Sequence, residues 1–287
     1  MLVADRMTPA VASHGECPFW DAKTRRIFFA DVLAGAFLSV SDSGNLNRHK
    51  IPGRVATVIR RNSSNGFVIA SESTIYRADD DLSDFEVAAT IPSSSDVRTN
   101  DGGCDPLGGF VIGTMAYDER PNAGAVYRVS SDREIVQLLD SVSISNGVQW
   151  SRNGSWVYYI DTPTKRVDRF RFDPDTGQWT DRHTHIDLSD TPGFPDGMAI
   201  DEEDGLWIAL WGGGAVINYD STGRLVERVH VPCVTQVTSC AFGGEERTTL
   251  YITTSRLGLT GNNEPSAGAL FAVPTTVVGA APLPCSI

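Results

Sequence analysis

The feature that most constrains this chain is an internal repeat whose period, roughly 40 to 50 residues, matches one propeller blade. Each unit begins with an oxygen-bearing side chain, places Asp or Ser five positions later, and continues into a short apolar run. A fifth, weaker unit begins near Ser239, and a sixth is expected within residues 54–70, where the register stays open. The four clear units begin at Glu16, Asn100, Asn146 and Asp196.

A second pattern follows each unit, in which alternating residues end in an Asp, Gly or Ser turn, as in strands joined by hairpins. The six segments with this pattern are residues 35–44, 73–81, 124–132, 165–177, 214–223 and 268–274. Since no window shows a helical stripe, we predict an all-β fold. The expected architecture is a six-bladed β-propeller with four-stranded blades, formed by residues 1–287 as a single domain.

A propeller must also close its ring. We expect an N-terminal strand near residues 2–6 to complete the blade that ends at Leu270–Val273, which would leave no unpaired sheet edge.

Composition excludes several classes of function. The chain has 287 residues and a net charge of -12, and an acidic surface repels phosphate backbones, so nucleic acid is not expected as a partner. No apolar run is long enough to span a membrane, and the first ten residues lack the apolar core of a secretory signal. We therefore expect a cytoplasmic protein. The five cysteines lack C-x-x-C spacing and are expected to be free thiols.

The repeat itself predicts a metal site. The first strand of each propeller blade lies beside the central channel, so equivalent positions on those strands converge on the axis. Here these positions carry Glu16, Asn100, Asn146 and Asp196. Converging carboxylates repel one another unless a cation or a proton lies between them, and carboxylate and amide oxygens suit Ca²⁺, Mg²⁺ or Mn²⁺.

The alternative reading is that Asp101-Gly102, Asn146-Gly147 and Asp196-Gly197 are ordinary turns, because Asn-Gly and Asp-Gly pairs are common turn signals. Any one pair alone favours a turn. The equal offset of the oxygen-bearing residue in four repeats favours the metal site.

The same segments resemble the SMP-30/gluconolactonase/LRE-like family. The matching stretches follow the family's order and extend over nearly the whole chain. They are GECPFW (15–20), RTNDGGCDPLGGFVIGTM (98–115), SNGVQW (145–150), YYID (158–161), PDGMAIDEEDGLWIALWGGG (195–214) and TSCAFGG (238–244).

The resemblance implies a six-bladed propeller with a divalent metal near the channel mouth. The family's metal ligands fall on Glu16, Asn146 and Asp196, and its substrate-contacting residues fall on Arg98 and Asn100. Its acidic loop residue falls on Asp118.

Two further positions near the first motif are also of interest. Many members have Gly where this chain has Cys17, whose side chain we expect to point into its blade. His14 lies two residues before Glu16 and could reach the channel mouth.

The implied activity is hydrolysis of a sugar (aldono-) lactone to the aldonic acid. We expect Asp196 to act as general base, while Arg98 and Asn100 bind the substrate. The metal could be Ca²⁺, Mg²⁺, Mn²⁺, Zn²⁺ or Fe²⁺, because oxygen ligands suit several ions. A small lactone is the expected partner, and the protein is expected to be a monomer or a weak oligomer. The alternatives are a phosphotriesterase- or arylesterase-like propeller hydrolase and a non-enzymatic calcium-binding propeller.

Overall fold

The computed structural model describes residues 1–261 and 263–287. Its strands form six antiparallel sheets whose innermost strands contact one another in closed cyclic order, so the predicted six-bladed propeller is confirmed. We number the blades in chain order from the first complete sheet.

The strands follow the chain in this order. Before the first blade come β1 (Leu2–Val3) and β2 (Asp5–Arg6). Blade 1 contains β3 (Gly15–Asp21), β4 (Arg26–Asp31), β5 (Ala36–Ser41) and β6 (Leu46–Lys50). Blade 2 contains β7 (Val58–Arg61), β8 (Phe67–Ser71), β9 (Thr74–Ala78) and β10 (Phe85–Thr90). Blade 3 contains β11 (Val97–Cys104), β12 (Phe110–Ala116), β13 (Gly124–Val129) and β14 (Ile135–Val142).

The second half continues the pattern. Blade 4 contains β15 (Ser145–Trp150), β16 (Trp156–Asp161), β17 (Arg166–Phe172) and β18 (Trp179–Asp187). Blade 5 contains β19 (Phe194–Ile200), β20 (Leu206–Trp211), β21 (Ala215–Tyr219) and β22 (Leu225–His230). Blade 6 contains β23 (Val237–Gly243), β24 (Thr249–Thr254) and β25 (Phe271–Pro274). The helical segments of the described residues are two 3₁₀ turns, Val32–Ala34 and Thr162–Thr164, and neither is long enough to cross a bilayer.

The apolar core lies between neighbouring blades. Tyr158 and Ile160 of blade 4, for example, belong to one buried cluster with Leu206 and Ile208 of blade 5. A blade packed on both faces needs apolar residues on both sides of its middle strands, which explains the continuous apolar runs in the sequence. The core therefore holds each inner strand in a fixed place beside the axis.

The Asp or Ser at the fifth position of each repeat unit ends the inner strand. Oδ1 of Asp105 accepts backbone hydrogen bonds from Leu107 (2.9 Å) and Gly109 (2.8 Å). In blade 2 the same role belongs to Asn62, whose Oδ1 accepts a hydrogen bond from Ser64 N (3.0 Å). The open register of that blade is thereby fixed, with Thr57 at the position equivalent to Glu16.

The inner strands of five blades carry a β-bulge at the first position of the repeat. Pairing with the second strand shifts register just after Glu16, Thr99, Asn146, Pro195 and Val237. The Asn-Gly and Asp-Gly pairs therefore lie in strands, not in turns. Glycine is required there because the next inner strand is close: a Cβ on Gly197 would lie 2.1 Å from Oγ of Ser239.

The N-terminal residues close the ring in two steps. β2 pairs with β25 and completes blade 6, as predicted. β1 instead pairs in parallel with β22, so blade 5 has five strands where four were predicted. The chain passes from one blade edge to the next through the buried Ala4, whose N–H donates to His230 O (2.9 Å).

The C-terminal segment, residues 280–287, crosses one end of the central channel; we call the opposite end the channel mouth. It bonds blade 5 through Ala280 N to Ile200 O (3.0 Å), and blades 2 and 3 through Cys285 N to Arg61 O (2.9 Å) and Ser286 N to Gly108 O (2.8 Å). Together with the inner strands it bounds a cavity of about 460 Å³. Cys285 is one of five free cysteines.

Candidate metal centre

Four predicted side chains meet at the axis. We call the six equivalent inner-strand positions the axial ring, which consists of Glu16, Thr57, Asn100, Asn146, Asp196 and Thr238. The two threonines bond to protein, since Thr57 Oγ1 lies 2.9 Å from Thr99 Oγ1 and Thr238 Oγ1 donates to Gly15 O at 2.6 Å. Any oxygens available to a ligand must therefore be found among the other four members.

A chain of hydrogen bonds fixes the amide of Asn146. Thr162 Oγ1 donates to Pro195 O (2.8 Å), so it accepts from Nδ2 of Asn146 (2.7 Å). Oδ1 of Asn146 is thereby turned toward Asn100, whose Nδ2 lies 3.2 Å away. The site is built to present an amide oxygen rather than an amide nitrogen.

The two carboxylates of the axial ring are buried together. Burial, followed by the charge of Asp101, raises the pKa of Glu16 to about 8. Burial, followed by the charge of Glu16, raises the pKa of Asp196 well above its ordinary value. Neither carboxylate forms an ion pair with a described residue. Their negative charges are therefore not offset by direct ion pairing with the protein.

Asp101 is a third axial carboxylate that sequence reasoning missed. It follows Asn100 in the bulge and lines the cavity on the far side of the axial ring. It accepts from Gly102 N (2.6 Å) and from Cys17 Sγ (3.0 Å), and burial raises its pKa. Its place directly after a ring residue, at a bulge, is the signal that could have revealed it.

Arg98 and Asn100 are coupled to each other. Nη1 of Arg98 donates to Oδ1 of Asn100 (2.6 Å) and to Thr99 O (2.9 Å). Burial lowers the pKa of Arg98, against the opposing effects of Tyr117, Glu16 and Glu119. Asn100 therefore supports both Arg98 and Asn146, while its own Oδ1 is occupied.

Asp118 lies apart from this network. It is exposed on the loop after β12, where it pairs with Arg120 (2.9 Å). The acidic side chain of this loop whose charge reaches Arg98 is Glu119, with Tyr117 beside it. Loop residues follow no strand period, so no spacing rule could choose among the acidic residues of this loop.

Cys17 departs from expectation. Its side chain does not remain within its own blade but reaches Asp101 of blade 3. Its φ of 47° lies in the left-handed region that favours glycine, which explains why Gly suits this position of the motif.

The donor set fits a hard divalent cation. Two carboxylates and one oriented amide oxygen are ligands that such ions prefer. Across residues 1–261 and 263–287, no three His, Cys, Asp or Glu side chains are grouped so as to hold a metal by themselves. Asn146 Oδ1 is therefore the described amide oxygen best placed to complete a donor set with Glu16 and Asp196.

Fold and site together define a class: six-bladed propellers with a polar, acidic site at the mouth of the axis. The chain matches the family model described as SMP-30/Gluconolactonase/LRE-like region over residues 14–256, and it belongs to that family.

Relatives over nearly the full length agree with this assignment. A Bacillus subtilis (strain 168) protein with the provisional name sugar lactone lactonase YvrE is 32% identical over 277 residues, covering 94% of each chain. Regucalcin of Homo sapiens is 34% identical over 274 residues, covering 90% of each. The crystal structure of a calcium-binding protein, regucalcin, from Agrobacterium tumefaciens has a TM-score of 0.92 and 28% identity, covering 100% of this chain and 98% of its own.

Proposed function

We propose that this protein is a divalent-metal-dependent hydrolase that opens a sugar (aldono-) lactone to the aldonic acid, with Glu16, Asn146 and Asp196 as metal ligands. The observation that carries the proposal is the pair of buried, mutually repelling carboxylates without an ion-pair partner among the described residues, next to an amide oxygen held in place by Thr162. Buried charges in proteins are normally paired or bound to a cation. The names of the Bacillus and Agrobacterium relatives support the activity and the metal, respectively.

A cation bound at this site would supply Lewis acidity toward the lactone carbonyl and make a nearby water more acidic. The charge of that cation would also lower the pKa of Asp196, so that the ionised carboxylate takes the proton from the attacking water as general base. A bond forms between the water oxygen and the carbonyl carbon, and the ring C–O bond then breaks. The ring oxygen leaves as an alkoxide and receives the proton that Asp196 holds, which balances the reaction.

Arg98 stabilises the negative charge that develops on the substrate. Its guanidinium remains charged, and its N–H groups are directed by the contact with Asn100 Oδ1. Because Arg98 is 7% exposed, few waters compete with the substrate for these donors. Polar side chains at this end of the channel favour a hydroxylated substrate over an aromatic phosphotriester.

Turnover tests the proposal directly. The purified protein is stripped with EDTA, reloaded separately with Ca²⁺, Mg²⁺, Mn²⁺, Zn²⁺ or Fe²⁺, and assayed on D-glucono-1,5-lactone, D-xylono-1,4-lactone and paraoxon. We expect lactone opening that EDTA abolishes and at least one metal restores. Lactone opening that is indifferent to EDTA would contradict the metal role, and activity on paraoxon alone would contradict the substrate class.

A non-enzymatic calcium-binding role is the second candidate, favoured by the description of the Agrobacterium structure. It predicts calcium binding by isothermal titration calorimetry with no turnover of any lactone under any metal. The same preparation therefore separates the two functions.

A further inference from the structure

The propeller repeat places a second layer of side chains next to the axial ring. Side chains two residues apart on a strand point to the same face, so the residue two positions before each ring member lies one step closer to the channel mouth. We call these residues the mouth layer. They are His14, Val55, Arg98, Ile144, Phe194 and Gln236.

Backbone pairing supports the equivalence of three mouth-layer positions. His14 bridges Ser255, Ile144 bridges Met115 and Gln236 bridges Trp211. In each case the partner lies within one residue of the end of the second strand of the preceding blade. The same blade junction thus recurs around the ring.

The polar members of the mouth layer lie on two sides of it. Arg98 belongs to blade 3, while Gln236 and His14 belong to the adjacent blades 6 and 1 on the opposite side. Ser255 joins the latter two, because its N–H donates to Gln236 O (3.0 Å) and its Oγ lies 2.8 Å from Nδ1 of His14. The rings of His14 and Trp211 pack in a T-shaped arrangement at a centroid distance of 5.9 Å.

The carboxamide of Gln236 has no hydrogen-bond partner in the described part of the chain. Its Oε1 is shielded from solvent and receives no donor. An unsatisfied acceptor of this kind is unfavourable, because it has lost its hydrogen bonds to water and gained none from the protein. Nε2 of His14 likewise makes no hydrogen bond to a described residue, since the ring's one partner, Ser255, is on Nδ1. Two neighbouring polar groups thus remain without partners at the mouth of the candidate site.

We propose that Gln236 and His14 form a subsite that binds hydroxyl groups on the carbon chain of the substrate, across the channel from Arg98. The inference rests on the proposed function and adds a basis for substrate selection. The hydroxyls of a polyhydroxylated lactone would form hydrogen bonds with these groups, whereas a lactone without ring hydroxyls would leave them unpaired. A site built to hydrogen-bond hydroxyls discriminates strongly against analogues that lack them.

The test compares Gln236→Leu, which removes the carboxamide at similar size, with Ile144→Leu, a control at the equivalent apolar position of blade 4. Each metal-loaded protein is assayed on D-glucono-1,5-lactone and on δ-valerolactone, which has the same ring without hydroxyls. We expect the ratio of the two kcat/KM values to fall about tenfold in Gln236→Leu. Ile144→Leu has no polar group to lose, so it should keep the wild-type ratio.

Thermal unfolding and product binding supply readouts that do not depend on turnover. Removing an unsatisfied acceptor should leave the Tm unchanged or raise it, whereas a purely structural Gln236 would lower it. Binding of D-gluconate, measured by calorimetry, should weaken about tenfold in Gln236→Leu. If that variant is unstable, Gln236→Met replaces it.

The outcomes separate the two claims. If wild-type protein opens both lactones and Gln236→Leu keeps the ratio and the D-gluconate affinity, the subsite is wrong and the hydrolase proposal stands. If wild-type protein opens neither lactone, the hydrolase proposal fails, and D-gluconate binding alone decides the subsite: weaker binding to Gln236→Leu supports it, and equal binding overturns it.

Discussion

Buried carboxylates occur in two regions of this propeller, and the two regions neutralise them differently. Within blade 3, Asp105 is 1% exposed and is paired with Nε of Arg128 at 2.5 Å. At the axis, Glu16 and Asp196 are each 5% exposed and have no ion-pair partner among the described residues. Since the burial is nearly equal, the difference lies in what the surrounding strands supply.

The difference shows which carboxylates serve folding and which remain available for binding. A buried charge without a partner is costly, and it is compensated when a counter-charge is added. Asp105 receives its partner as the chain folds. Glu16 and Asp196 receive no such partner among the described residues. Their carboxylates therefore remain available for electrostatic attraction to a cation that enters the ring. Local departures of this kind from the rules of stable cores concentrate at functional sites.

The largest expected effect is on activity. Asp196→Asn keeps the shape of the side chain but removes the base and one charged ligand, so kcat/KM for D-glucono-1,5-lactone should fall by about 10³-fold or more. The metal-free variant should unfold at the same or a higher temperature than wild type, because the variant has no ionisable group at this buried position. Retention of full activity would remove Asp196 from the mechanism.

The second prediction is the opposite result for blade 3, in which stability is lost and activity is kept. Asp105→Asn leaves Arg128 buried without its partner, which should lower the free energy of unfolding by about 3 kcal/mol. Urea denaturation of the metal-free protein measures the loss. The kcat/KM of the folded variant should match wild type, since neither residue touches the axial ring. A stable but inactive variant would show that the two regions are not independent.

The third prediction concerns pH. Glu16 has a folded-state pKa raised to about 8 from 4.5, so the folded protein binds more protons than the unfolded chain between these values. Stability of the metal-free protein should therefore be highest below pH 4.5 on account of this group and fall as pH rises toward 8, by on the order of 4 kcal/mol.

Glu16→Gln is the matched control for the pH effect, because it cannot ionise. Its stability should vary less across the same window, as measured by urea denaturation at several pH values. Identical pH profiles for the two proteins would mean that Glu16 is not the group responsible.

The smallest expected effect concerns the orientation of Asn146. Thr162→Val removes the hydroxyl that accepts from Nδ2 and so frees the amide to rotate. Loss of such a supporting contact typically lowers metal affinity about tenfold or more. Calorimetric titration with Ca²⁺ or Mn²⁺ measures the change, and Thr164→Val on the same 3₁₀ turn is the control. Equal affinities in the two variants would show that the amide needs no such support.

Much of the fold could be predicted because the repeat is marked by residues that the fold requires. Asp105 and Asp201 recur because each must cap the turn that ends an inner strand. The register of blade 2 could not be predicted because Thr57 stands where the clear units have an amide or a carboxylate, and Asn62 stands where they have Asp or Ser. The pairing of β1 with β22 could not be predicted from a residue pattern, because a strand of two residues is too short to show a period.

The candidate site was less predictable than the fold. Strand periodicity predicted which residues share the axial ring, but it could not show Asp101, which a bulge turns toward the channel. It also could not choose between Asp118 and Glu119, because a loop has no period. The orientation of Asn146 depends on Thr162, a contact between residues 16 positions apart that no spacing rule predicts.

The bulges after the axial ring residues have a consequence for how this protein can change. By adding one residue to an inner strand, a bulge lets consecutive side chains serve opposite ends of the tunnel: Asn100 serves the mouth, and Asp101 the chamber beneath the C-terminal segment. Substitutions in the lower chamber can therefore tune the proton affinity of Glu16 through space without altering a single group that meets the substrate. Such a division would let natural variation adjust reactivity and selectivity separately.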